Sequence, residues 1–232
     1  MQEAKYNYQL GGAIQRSTLN SRSLRAATGK DTTLNQDFLN FFPTANFQYS
    51  WSRSKNLRLR YNGRTNQPSI SQLQDVPDVS NPLQIVTGNP SLKQEFSNSL
   101  NLNYSTFNAQ SFRFFNANVN AGNTSNKIVN SIDTIGRGVL LLRPVNLDGA
   151  MNMSSFVTLG LPLKGNFKGS NFNFNNSIRY NKDVSLLYKQ KNITTTFVLN
   201  QSVGINLDIK QKLNLGVNAS FAYNKVTYSI NS

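Results

Sequence analysis

The chain has 232 residues, 38% of them hydrophobic, and carries 24 Lys and Arg against 10 Asp and Glu, a formal net charge of +14, with neither Cys nor His. Those absences exclude disulfide frameworks, thiolate nucleophiles, the usual zinc sites and the Ser-His-Asp and Cys-His arrangements of nucleophilic catalysis. The basic residues form no run or helical stripe, so the footprint of a nucleic-acid site is missing, and lipopolysaccharide, phospholipid headgroups or an acidic substrate remain as counter-charges.

Mean hydropathy is −0.43, and no stretch approaches the ~20 apolar residues of a membrane-spanning helix. A spanning β-strand needs only alternate residues apolar, so a barrel remains open to this chain. The start, Met1-Gln2-Glu3-Ala4-Lys5-Tyr6, has no apolar core of a signal peptide. An exported chain with this start has lost its signal or begins inside a longer reading frame.

Period-two patterning predicts about nine strands. The first covers residues 5–15, with Tyr6, Tyr8, Leu10 and Ile14 in phase, and residues 16–36 read as a polar loop. The second, 44–52, aligns Ala45, Phe47, Tyr49 and Trp51; after Arg53-Ser54-Lys55 the third, 56–65, aligns Leu57, Leu59 and Tyr61. Residues 66–95 form the longest irregular segment, broken by Pro68, Pro77, Pro82 and Pro90, each lacking a backbone donor. Phe96, Leu100, Leu102 and Tyr104 mark the fourth strand. Phe115, Ala117, Val119 and Ala121 mark the fifth, continuing through Ile128 and Ile132 to a turn at Gly136-Arg137-Gly138. Val157, Leu159, Leu161 and Leu163 end the sixth, and Phe172, Phe174 and Ile178 open the seventh.

The last two strands form the longest alternation. Ile193, Thr195, Phe197, Leu199, Val203, Ile205, Leu207 and Ile209 fall on one face, and after Lys210-Gln211-Lys212 the pattern restarts at Leu213, Leu215, Val217, Ala219, Phe221 and Tyr223. Strands of soluble proteins typically run ~5–6 residues, whereas a tilted spanning strand needs ~9–11. Length and alternation predict an all-β fold: an antiparallel up-and-down meander that is part of a transmembrane outer-membrane β-barrel. Short connections follow the second, fourth, sixth and eighth strands, and the longest follow the first and third, the asymmetry of tight periplasmic turns and longer outward loops. Tyr49, Trp51, Tyr104, Phe107, Phe112, Phe114, Phe167 and Phe172 gather near the short turns as an interfacial girdle.

Candidate site residues follow from this layout. Arg58, Arg60 and Arg64 oppose Leu57, Leu59 and Tyr61, which puts three cations on the lumen side, either as general lumen polarity or to attract an anionic solute or the carboxylates of a plug. In the long loop, Gln72, Asp75, Asp78 and Asn81 are candidate ligand contacts. Asp75, Asp78 and Asn81 could offer oxygen ligands to a hard cation, but their spacing matches no standard calcium loop, and solvated loop polarity is the preferred reading. No pair of carboxylates is brought into register for glycoside chemistry, and Gly11-Gly12 and Gly136-Arg137-Gly138 precede no helix that would make a phosphate loop. The sequence predicts no catalytic residue, no metal site and no cofactor.

Residues 64–73, then Asn81-Pro82-Leu83 and Gly88-Asn89-Pro90-Ser91-Leu92-Lys93-Gln94-Glu95, resemble the outer-membrane β-barrel family common in Bacteroidetes and related to TonB-dependent receptors. The match to that family's GNPxLKPE element rests on Gly88, Asn89, Pro90, Leu92, Lys93 and Glu95, with Pro68 upstream and with Gln94 in place of the usual Pro. Pro144-Val145-Asn146 with Gly149 is similar to the family's PVNxxG, and Asn40-Phe41-Phe42-Pro43 is similar to its strand entry. The resemblance implies a barrel of roughly 22 strands with a plugged lumen. It makes residues 1–232 a single partial barrel domain without the plug and the terminal strands. It also implies partners: outer-membrane lipid and lipopolysaccharide, the plug domain and an energy-coupling protein. The expected function is import of a bulky nutrient such as a metal chelate, peptide or glycan. A non-transporting barrel serving as adhesin or scaffold, or a soluble Asn-rich carbohydrate-binding β protein, are the alternatives; the last would need a fixed repeat, and none is found.

Overall fold

The computed structural model describes residues 5–25, 30–136, 138–209 and 212–230. Residues 1–4, Arg137, Lys210 and Gln211, which figure in the expected start and turns, lie outside the described residues. Among the described residues thirteen strands form one sheet. They are β1 (Lys5–Arg25), β2 (Lys30–Ser52), β3 (Lys55–Asn66), β4 (Asp78–Asn81), β5 (Gln84–Val86), β6 (Glu95–Asn108), β7 (Arg113–Ser125), β8 (Lys127–Ile135), β9 (Val139–Leu147), β10 (Ala150–Pro162), β11 (Asn171–Leu187), β12 (Gln190–Ile209) and β13 (Leu213–Tyr228). A single helical turn, α1 (Ile70–Leu73), lies between β3 and β4.

Nine of these are the expected meander, antiparallel throughout in the order β1-β2-β3-β6-β7-β10-β11-β12-β13. The other four form an annex. β8 pairs in parallel with the distal end of β11, Ser131 beside Leu186; β9 follows antiparallel, then β5 in parallel with β9, then β4. Strand five was expected to run on through Ile128 and Ile132. It stops instead at Asn126, whose φ of 52° is a left-handed conformation that Asn tolerates better than most residues. That turn carries β8 out of the meander.

Two further expectations change. Residues 16–25 and 30–36, expected in a loop, form the distal half of the β1–β2 hairpin, with Arg16 opposite Leu39 and Arg25 opposite Lys30. The sequence hides this because a ladder standing in water needs no apolar face; cross-strand polar pairs such as Arg16 with Asp37 suffice. Since β2 starts at Lys30, residues 40–43 lie inside that strand and do not open it.

Register fixes the two faces. One row runs across all nine meander strands through Tyr8, Phe47, Leu59, Leu102, Val119, Ser155, Ile178, Leu199 and Tyr223. A row on the opposite face runs through Lys5, Ser50, Asn56, Ser105, Asn116, Thr158, Asn175, Ser202 and Ser220, polar in every strand. On β10 the apolar face extends from Met153 to Leu161, about 27 Å along the strand, which a tilt of 35–45° projects to about 20 Å. That approaches the ~25 Å band of a spanning barrel. Large side chains on this face stay exposed: Leu10 at 77% and Val217 at 68%. Among the described residues β1 and β13 are not paired with each other, so the sheet is open.

The buried cluster sits at the long-connection end. Leu34 and Phe38 of β2, on the polar face, meet Leu73 and Leu92 of the 67–94 segment, with Leu19 and Ile128 packed against them. The segment expected to stand outward as a loop therefore folds back over the polar side of the β1–β2 hairpin.

Candidate functional site

The polar face of the meander is a wall of amides and hydroxyls carrying a few cations. Arg58 lies opposite Asn103 and Arg60 opposite Asn101, and both line a hollow of about 450 Å³ with Asn7, Gln9, Asn46, Gln48 and Asn118. Arg60 Nε donates to Asn46 Oδ1 at 3.3 Å; Asn101 Nδ2 donates to Asn120 Oδ1 at 2.5 Å, and Asn120 Nδ2 to Asn118 Oδ1 at 2.6 Å. Arg64 shares the face but lies nearer the long-connection end, opposite Ser97. Arg179, between Ile178 and Tyr180 on β11, is a fourth cation of this wall that the sequence reading passed over, although its phase gives it away. Among the described residues, Arg58, Arg60, Arg64 and Arg179 enter no ion pair.

The family-like motifs have a different job. Residues 88–95 meet residues 144–149, the end of β9 and the two residues after it, and this junction fastens the 67–94 segment. Asn89 Nδ2 donates to the Pro144 carbonyl at 2.9 Å. Asn146 clamps Lys93 from both sides, accepting from its N–H at 2.7 Å and donating to its carbonyl at 2.9 Å, and donates to the Asn126 carbonyl at 2.7 Å. Glu95 accepts from the Ile128 N–H at 2.6 Å, Pro90 accepts from Gln36, and Leu92 is buried in the cluster with Leu73. Gln94, where the resemblance expects Pro, donates to Asn40 Oδ1 at 2.9 Å. At Gly88 a Cβ would collide with the Gln74 carbonyl, so only glycine fits; Gly149 holds φ at 109°, open to glycine alone at little cost. Pro68 is fully buried at the start of the segment.

The loop candidates are tied up locally. Gln72 and Ser69 form a capping box at α1, with Ser69 N–H to Gln72 Oε1 at 2.9 Å and Gln72 N–H to Ser69 Oγ at 3.2 Å. Asp75 accepts from Thr87 Oγ1 at 2.7 Å and Asn81 Oδ1 from the Leu83 N–H at 3.0 Å. Asp78 accepts from the hydroxyl and N–H of Ser80, which hold its carboxyl below the usual range. These oxygens are not brought to a common point, and among the described residues no three His, Cys, Asp or Glu side chains gather to hold a metal.

The model of the Outer membrane protein beta-barrel family matches residues 2–232. The chain belongs to that family. It is a protein of the bacterial outer membrane. No curated protein and no solved structure matches it.

In this outer-membrane barrel the apolar face is the lipid face and the polar wall lines the lumen. Barrels of this kind turn tight hairpins to the periplasm, which assigns that side to the end carrying the turns after β2 and β6, and the annex with the buried cluster lies at the opposite end. The periplasmic girdle is built around Trp51, with Tyr49 at 4.5 Å and Tyr104 at 6.0 Å between ring centroids, Phe115 at 5.9 Å from Tyr104, and Lys55 Nζ 5.0 Å over the Trp51 ring. Phe107 and Phe114 do not belong to it. They pair with each other and, through Phe114, with Gly160 in the lumenal phase, where the Phe114 ring covers the face Gly160 leaves bare.

The outer β1–β2 hairpin carries a pH-sensitive pair. Asp37 accepts from Thr18 Oγ1 at 2.6 Å and from Arg16 at 3.0 Å, and these partners lower its pKa from 3.8. A depressed carboxylate stabilises the fold above its unfolded pKa and loses that contribution as the pH falls through its folded one. Amide protection in residues 16–22 and 33–38, taken relative to intrinsic exchange at each pH, is therefore expected to fall on acidification below about pH 4, and not in the Asp37→Asn variant. Because the pair is exposed, 0.5 M salt should shrink the effect.

Proposed function

We propose that the chain is part of an importing receptor of the TonB-dependent type, which carries a bulky nutrient through a plugged barrel. The observation that carries this reading is the lumen wall: nine strands wide, mostly polar near its middle, and carrying arginines that enter no ion pair among the described residues. Open edges at β1 and β13 add support, because unpaired strand edges are unfavourable in lipid and further strands would satisfy them. The partners of this reading are outer-membrane lipid and lipopolysaccharide, a plug domain inside the wall and an energy-coupling protein beneath it. In the outer cap, Asp75, Asp78 and Asn81 would meet an incoming ligand, with Gln72 holding the shape of α1. No residue is assigned a catalytic step.

A strain lacking the gene, grown with metal chelates, peptides or glycans as the limiting nutrient, tests this. Import predicts slower growth on one class, reproduced in the parent strain by a protonophore. Unchanged growth on all of them, with loss of surface attachment, would replace the transporter with an adhesin.

A further inference from the structure

One lumenal row holds four side chains of complementary kinds. Arg58 of β3 lies opposite Asn103 of β6, Asn103 opposite Asn118 of β7, and Asn118 opposite Phe156 of β10. Strands lie about 4.8 Å apart, so Arg58 and Phe156 stand about 14 Å from each other with the two amides between them. Phe156 is 48% exposed, an apolar ring set among Asn118, Ser177, Ser154 and Thr158. Arg60 is one step along β3 on the same face and shares the Arg58 hollow.

The geometry points to an acidic oligosaccharide as the solute of this wall, with its carboxylates or sulfates on Arg58 and Arg60 and one sugar ring on Phe156. The inference rests on the importing reading above and names its substrate class. A guanidinium presents a planar fork that matches a carboxylate or sulfate through two parallel hydrogen bonds. Asn103 offers both donors and an acceptor, and Asn118 offers both donors beside an Oδ1 that already accepts from Asn120, the mixture that sugar hydroxyls require. The ring of Phe156 offers a flat apolar surface to the C–H face of a pyranose. The span of the row selects a short chain over a monosaccharide, since one sugar cannot reach both ends. Arg58 and Arg60 have no carboxylate partner among the described residues, so an anion bound here displaces no internal ion pair.

Calorimetry on the native full-length protein in detergent tests the assignment, with uronate and sulfated trisaccharides as probes beside their neutral counterparts. The acidic probes are expected to bind at least about 10-fold more tightly than the neutral ones, as charge-assisted hydrogen bonds predict. Arg58→Gln should remove that preference, Phe156→Ala should weaken acidic and neutral probes alike, and Asn103→Asp should weaken only the acidic ones. Equal affinity for acidic and neutral probes would overturn the assignment. So would absence of binding with a lowered melting temperature in Arg58→Gln, which would mean that a protein surface covers the wall. Binding of the acidic probe without gene-dependent uptake would sink the importing reading alone. Gene-dependent uptake of another nutrient without such binding would sink this inference alone.

Discussion

Leu102→Lys is expected to destabilise the membrane-inserted protein by about 2–4 kcal/mol, the cost of a lysine facing lipid near the bilayer midplane. Leu102 lies between Leu59 and Val119 in the central row of the apolar face, so its side chain has lipid in front of it and no aqueous route within reach. Asn116→Lys, three residues along the paired strand from Val119, points to the lumen between Ser105 and Thr158 and should change stability little. Urea unfolding of the native protein in lipid vesicles measures both. Equal costs for the two variants would mean that the faces are not divided between lipid and water as register places them.

Asn146→Ala is expected to loosen the outer cap while leaving the meander intact. One amide satisfies the Lys93 N–H, the Lys93 carbonyl and the Asn126 carbonyl, so its removal strands three backbone groups at the junction of the two fastened elements. A cost of about 2 kcal/mol would raise local opening about 30-fold. Hydrogen exchange should show that acceleration in residues 67–94 and 126–149, with the amides shared by β2 and β3 unchanged. Gly88→Val should act in the same region for a different reason, because its side chain collides with the Gln74 carbonyl and pushes the segment off its seat. Exchange that stays slow in both variants would remove the fastening role given to these motif residues.

The meander was readable because lipid demands an apolar residue at every second position, and Leu57, Leu59, Leu100 and Leu102 obey that demand plainly. Beyond the membrane the demand lapses, so the outer half of the β1–β2 hairpin reads as a polar loop although its ladder continues to Arg25 and Lys30. The annex was hidden for another reason: a single left-handed residue, Asn126, redirects the chain, and Asn fits a strand and such a turn equally well. Motif residues such as Asn89 and Asn146 stood out in sequence, yet their partners are 55 and 53 residues away and only the fold shows them as fasteners. Some of the rest was available. Phe107 is three residues from Tyr104, an odd step that puts it on the opposite face, and the same count places Arg179 and Phe156 in the lumen.

Thiol accessibility is the most direct test of the division between lipid and lumen faces. The chain has no cysteine, so each introduced thiol reports alone. Single variants Leu59→Cys, Leu102→Cys and Ile178→Cys, paired with Arg58→Cys, Asn103→Cys and Ser177→Cys, would be exposed in intact outer membranes to a small charged maleimide and, separately, to a lipid-soluble one. Alternation is the predicted result: the first three react only with the lipid-soluble reagent, and the second three react with the charged one. Reaction of both sets with the charged reagent, or reversal of the two sets, would contradict the account.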